Sequence, residues 1–246
     1  MRDKAIVLLS GGLDSVTVAH YVKKELQLDI YAITFLYGQM NVAEIEFAKF
    51  NARKLDASEH VFVTLDISHL SCSSLTNSAL PLPLDREIND IEHQNIPSTY
   101  VPARNMIFLS HAACYAETIK SYDIFIGVNS IDYSGYPDCR DGFITAFQSA
   151  INQGCNLYAN GKRPLRVHAP LARYNKADIV KLGLRNEVDY SMTLSCYRPL
   201  VKEDIEFRFL SVTNCGRCDA CKLRDIGMRA NNLQEGSKTV MLEIDS

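Results

Sequence analysis

The sequence has no positive charge to spare. Its 26 Lys and Arg stand against 29 Asp and Glu, a formal net charge of −3. Proteins that grip nucleic acid regardless of sequence carry a basic surplus that neutralises phosphates, so the balance argues against a broad interface of that kind, and direct nucleic-acid binding is not expected. No apolar run approaches the roughly 18 residues of a membrane span. The run Ala5–Leu9 is too short for a signal-peptide core and breaks into Gly11-Gly12. The expectation is a cytoplasmic chain with no membrane partner, and in that compartment its eight cysteines are not a disulfide framework. No internal repeat is visible.

What is present is an ordinary globular composition, 47% hydrophobic and 22% charged over 246 residues, with strand and helix patterns in alternation. Lys4–Leu9, Asp29–Leu36, Glu59–Leu65, Tyr122–Val128 and Leu165–Leu171 read as extended. Ser15–Leu26, Asn41–Leu55, Asn105–Thr118, Phe143–Ala159 and Lys176–Leu184 read as helices, the last ending near Gly183. Such alternation predicts a doubly wound, mainly parallel α/β sheet with helices on both faces. Ser68–Ala103, rich in Ser, Pro and Asn, shows no sustained period, and a connection of that length inside a compact domain is usually functional or mobile. The expected organisation is a nucleotide-binding domain over 1–190, a cysteine-bearing region over 191–232 packed on it, and a loosely held tail over 233–246.

Ser10-Gly11-Gly12-Leu13-Asp14-Ser15 lies between the first strand and the first helix, where a doubly wound fold presents amides and a helix N-terminus to an anion. Two glycines let the backbone approach phosphate oxygens, and Ser10 and Ser15 add hydroxyl donors. An ionised Asp14 cannot donate to phosphate; it engages Mg²⁺ or caps the helix. A tight glycine turn with an Asp or Ser cap is the alternative that needs no ligand. The lysine of a Walker loop is missing. Of the eight cysteines, Cys72, Cys114, Cys139 and Cys155 are scattered and read as buried thiols. Cys196, Cys215, Cys218 and Cys221 instead supply four thiolates at metal-ligand spacing. They suit a closed tetrahedral Zn²⁺ site, with an iron–sulfur cluster or a redox pair as alternatives.

The hexapeptide resembles the S-G-G-x-D-S fingerprint of the PP-loop ATP pyrophosphatases. That resemblance implies ATP cleaved to AMP and diphosphate, with the nucleotide held by Leu9, Ser10, Gly11, Gly12, Leu13, Asp14, Ser15, Val16, Thr17, Val18 and Ala19. Further segments, in order, resemble the 7-cyano-7-deazaguanine synthase family: Tyr37–Glu46, Ser98–Glu117, Gly127–Ile144, Ala169–Gly183 and Thr193–Arg224. They cover nearly the whole chain. The resemblance implies an ATP-dependent C–N ligase that converts 7-carboxy-7-deazaguanine and ammonia to the nitrile through adenylated intermediates, as a homodimer in queuosine precursor biosynthesis. Asp14, Arg104, Lys176 and Arg224 are the candidate catalytic charges. Asn105, Asp132, Tyr133, Tyr136, Asp138 and Arg140 are the candidate substrate residues, aromatics to stack and polar groups to pair with a deazapurine.

Two features depart from that family's pattern. Met40 and Asn41 stand where a basic pair follows Tyr-x-Gln, and residues 197–214 form a longer insert between the first and second cysteines of the cluster. The insert offers a surface for a protein partner. A paralogue that stops at the amide or acylates another amine is one alternative reading. A tRNA-thiolating PP-loop enzyme is a second, and a non-catalytic zinc-ribbon adaptor a third.

Overall fold

The structure is a computed structural model that describes residues 3–92, 96–161, 163–204, 209–234 and 239–243. Five strands, β1 (Lys4–Leu8), β2 (Asp29–Leu36), β3 (Glu59–Thr64), β4 (Asp123–Phe125) and β5 (Arg166–His168), form one parallel sheet in the order β3-β2-β1-β4-β5. β1 is central because both its faces are apolar: Ala5 and Val7 point into one core and Ile6 and Leu8 into the other. The pleat therefore splits one hydrophobic run between two layers.

Below the first face lie α1 (Leu13–Lys24) and α2 (Glu44–Lys54). α8 (Lys176–Arg185) and α9 (Asp219–Ala230) join that core through Ile179, Val180, Leu182 and Met228. The other face is covered by α4 (Arg104–Ile119), through Leu109, Ala112, Ala113 and Ala116, and by α6 (Asp141–Gly154), through Ile144 and Phe147. Each large aliphatic side chain so buried contributes about 1.5–3 kcal/mol. The short helices α3 (Ile88–Glu92), α5 (Ser130–Gly135) and α7 (Asn156–Ala159) decorate the loops. The expected doubly wound parallel α/β architecture is what the chain adopts. Its strand order reverses between β1 and β4, so the carboxyl ends of these strands open a crevice where such folds bind ligands.

A second sheet is antiparallel, with order β6-β7-β8 for β6 (Leu200–Asp204), β7 (Phe209–Thr213) and β8 (Thr239–Glu243). The insert thus supplies the β6–β7 pair, although its residues 205–208 lie outside the described set. The expectation of a loosely held tail is corrected for 239–243: that segment pairs with β7 and buries Leu242 beside Leu210, Val212 and Phe47.

Local differences have local causes. Helix 15–26 starts two residues earlier, at Leu13, with Gly12 in extended backbone as its cap and no side-chain cap bond. The Asp14 or Ser15 cap considered above is therefore not made. Helix 143–159 is broken at Cys155, whose backbone is extended. Cys72 and Cys114 are exposed rather than buried. From the aperiodic segment, Leu84 is bridged to Cys218 and Arg86 paired to Asp219 at 3.0 Å, which joins this part of the loop to the cysteine region.

Candidate active site

The chain leaves β1 through Leu9 and turns at Gly11, whose φ is +82°. A Cβ there would stand 2.3 Å from the Glu44 carbonyl oxygen, so glycine is required both by conformation and by space. The turn is internally braced. Ser10 Oγ lies 3.0 Å from Ser15 Oγ, and Ser15 Oγ donates to the Gly12 carbonyl at 3.1 Å. Ser10, Gly12, Leu13, Asp14 and Ser15 line a cavity of about 300 Å³ at the crevice. Leu9 joins them; Val16, Val18 and Ala19 do not, because they face the core at 0–1% exposure. Thr17 is also buried, bonded to Leu13 O and Tyr190 Oη. That part of the expected nucleotide-contacting run is corrected: α1 turns this face onto α8.

Asp14 is paired instead. Lys176 Nζ, at the first position of α8, donates to Asp14 Oδ1 at 2.8 Å and Oδ2 at 2.6 Å. Asn129 Nδ2 reaches Asp14 at 3.4 Å and Asp132 at 2.7 Å. Asn129 also caps α5 in a reciprocal box with Asp132, and burial pushes the Asp132 carboxyl up to about 6. Arg104 opens α4 behind Ala103, which has φ +57°. Its guanidinium lies 5.9 Å from the Tyr37 ring centroid, with Nη1 donating to Tyr37 Oη at 3.4 Å. Phe35 and Phe108 stack at 4.1 Å and form an aromatic wall with Tyr37. Arg224 is 3% exposed; Nη1 donates to Thr193 Oγ1 at 2.6 Å and Nη2 to the Tyr190 carbonyl at 2.5 Å, at the cavity floor.

The structure divides the candidate substrate residues. Asn105 and Asp132 line the cavity. Asp138 does not: it is buried and accepts the Asn105 backbone N–H at 2.9 Å, ordering the start of α4. Tyr136 is turned aside to Tyr100 and Thr99, and Arg140 is exposed ahead of α6. The side chain of Tyr133 lies outside the described residues. Cys139 lines the cavity and accepts from Asn105 Nδ2 at 3.1 Å. Burial raises its thiol well above the ordinary range, so it stays protonated and is no nucleophile.

Sequence reasoning missed Gln39, Glu44, Asn129 and Ser195, all of which line the cavity. Two signals were available. Asn129 stands three residues before Asp132, the spacing of a capping box, and Glu44 opens the acidic helix that follows Tyr37-Gly38-Gln39.

Cys196, Cys215, Cys218 and Cys221 come together with their sulfurs within 4.8 Å of one another. A tetrahedral ion at a metal–sulfur distance of about 2.3 Å needs separations near this scale. Backbone N–H groups of Tyr197, Cys215 and Arg217 point at these sulfurs at 3.3–3.5 Å, as thiolates require. The four thiols therefore fit a metal. This knot is tied to the glycine turn: Leu13 N donates to Ser195 Oγ at 3.3 Å, Leu194 N to Gly11 O at 3.0 Å, and Asn41 Nδ2 to Cys196 O at 2.9 Å.

The sequence is similar to those of known proteins. A protein from Citrifermentans bemidjiense named 7-cyano-7-deazaguanine synthase is 46% identical over 224 residues, 91% of this chain and 92% of its own. Its namesakes from Syntrophus aciditrophicus and Geotalea uraniireducens are each 43% identical, over 93% and 98% of this chain and 94% and 98% of their own. The family model described as queuosine biosynthesis protein QueC matches residues 4–232, and the chain belongs to that family.

Proposed function

We propose that this chain is an ATP-dependent ligase that makes 7-cyano-7-deazaguanine from 7-carboxy-7-deazaguanine and ammonia. The observation that carries the reading is the convergence on one cavity of the Ser10–Ser15 turn, the Asp14–Lys176 pair, Asn105 and Asp132. A phosphate cradle and hydrogen-bonding groups for a purine-like ring thus share one crevice. The relatives' shared name favours the nitrile over the paralogue reading.

The chemistry follows from leaving groups. A carboxylate oxygen leaves poorly, so it attacks the α-phosphorus of ATP and becomes an acyl adenylate, with diphosphate departing. Ammonia adds to the carbonyl carbon, AMP leaves with the C–O electron pair, and the amide results. The amide oxygen is adenylated by a second ATP, and loss of AMP and protons gives the nitrile. The loop amides and the Ser10 and Ser15 hydroxyls hold the diphosphate. Arg104, Lys176 and Arg224 supply positive charge at the cavity wall. Phe35 and Phe108 offer an apolar face to the deazapurine, and Asp132 accepts from its N–H groups.

Mg²⁺, when bound with ATP, neutralises triphosphate charge, and Asp14 is the carboxylate that would hold it. Zn²⁺ would be held by Cys196, Cys215, Cys218 and Cys221. With all four positions filled by protein, its service is structural. The direct test is release of AMP and diphosphate, rather than ADP and phosphate, dependent on 7-carboxy-7-deazaguanine. Asp14→Asn should abolish that release; unchanged turnover in the variant refutes the loop assignment.

A further inference from the structure

Three carboxylates line the cavity, and they are not equivalent: Asp14, Glu44 and Asp132. Both oxygens of Asp14 are taken by Lys176. Asp132 Oδ2 is committed to the backbone and side chain of Asn129 at 3.2 and 2.7 Å. Glu44 accepts one hydrogen bond, from Gln39 Nε2 to Oε1 at 3.2 Å, and its Oε2 has no partner among the described residues. Gln39 is fixed in turn by the Tyr37 N–H at 2.7 Å and the Phe35 carbonyl at 3.0 Å. Three residues before Glu44, Asn41 is oriented by its Nδ2 bond to Cys196 O, which leaves its buried Oδ1 without a partner. In this stretch of cavity wall Asn41 Oδ1 is thus a buried, unsatisfied acceptor, and the half-buried Glu44 keeps Oε2 open beside it. A buried acceptor left unpaired costs about 1–3 kcal/mol, which makes this a place for an N–H donor.

We propose that Glu44 is the proton acceptor that converts ammonium to ammonia beside the activated carbonyl, an assignment that rests on the ligase reading above. The carboxylate removes one proton from NH₄⁺, giving the carboxylic acid and NH₃. The nitrogen lone pair then forms the C–N bond, the C–O bond to AMP breaks, and the proton shed by nitrogen passes to water. Glu44 afterwards returns its proton to solvent. Burial holds the Glu44 carboxyl up at about 7, against the opposing pull of the Gln39 bond and the Arg104 charge. That places it where a base works near neutral pH. Other ionisable groups around the cavity are Tyr37 and Arg104 on the same side, Lys176, Asp14 and Asp132 on the glycine-turn side, Cys139 beside Asn105, and Cys196, Tyr197 and Arg224 from the cysteine region.

The test compares wild type, Glu44→Gln and Glu44→Asp in two assays. One is ATP–diphosphate exchange driven by 7-carboxy-7-deazaguanine without ammonium; the other is amide formation with ammonium from about pH 6 to about pH 9. Glu44→Gln should slow amide formation near neutrality by about 100-fold and exchange far less. Its deficit should shrink as rising pH supplies free ammonia, and Glu44→Asp should recover part of the loss. Amide formation at the wild-type rate in Glu44→Gln overturns the assignment, as does an equal fall of both assays at every pH. If Glu44→Gln does not fold, Glu44→Asp must show the same split on a smaller scale, and its absence is equally decisive. Wild type without exchange would sink the ligase reading itself, a result visible before any variant is made.

Discussion

Lys176 Nζ sits 2.6 Å from Asp14 Oδ2, locking the first residue of α8 to the first turn of α1. Both side chains are largely withdrawn from water, at 13% and 24% exposure, so removing one partner strands the other. Lys176→Ala should lower stability by about 2 kcal/mol, below the range for fully buried pairs because Asp14 keeps some solvent. It should also slow AMP release by about 100-fold. Urea denaturation of the single variants and of Asp14→Asn/Lys176→Ala, read as a double-mutant cycle, checks the coupling; strict additivity would refute it.

Gly11 admits no side chain. With φ +82° and a Cβ that would lie 2.3 Å from Glu44 O, Gly11→Ala combines backbone strain with a backbone clash. The expected cost is about 3 kcal/mol or more, measured as a fall in denaturation midpoint. Gly142→Ala, where a Cβ meets nothing within 4 Å, is the control and should be neutral or slightly stabilising.

The pH dependence of stability carries a definite sign. Glu44 and Asp132 are raised on folding, to about 7 and about 6 from 4.5 and 3.8. Between the unfolded and folded values the native state holds more protons, so their contribution is full below the unfolded value and is lost as pH rises through the folded one. His60, lowered to about 4 by burial, acts in the opposite sense. The clean quantity is therefore a difference: Glu44→Gln should gain stability relative to wild type as pH rises from about 4.5 to about 7. A difference independent of pH would mean that Glu44 is not held up by burial.

Metal removal should reach the glycine turn. Cys218→Ser should lower zinc content from about one ion per chain, read by elemental mass spectrometry. Because Leu194 and Ser195 bond to Gly11 and Leu13, it should also weaken the thermal shift that ATP gives the protein. Iron and visible absorption in the purified wild type would replace zinc by an iron–sulfur cluster.

The parallel sheet was legible because its inner strands β1 and β2 are apolar on both faces; Asp29–Leu36 is found within the bounds its pattern predicts. The antiparallel sheet was not, since β6 is exposed along its whole length and only Leu210 and Val212 of β7 turn inward, too short an alternation to register. At the site, glycines and cysteines were legible because their spacing is their chemistry. Glu44 was passed over despite its place after Tyr37-Gly38-Gln39, because an acid at a helix start reads as surface charge until the fold sets it beside Arg104. Asp138 was misplaced for a related reason: its bond to the Asn105 N–H spans 33 residues, and no local pattern encodes it.

The central claim is tested most directly by mass spectrometry of the products formed by purified protein with Mg·ATP, 7-carboxy-7-deazaguanine and ammonium. The account predicts 7-cyano-7-deazaguanine together with AMP and diphosphate. Amide as the end product, or an acid substrate recovered unchanged while ATP stays intact, would contradict it.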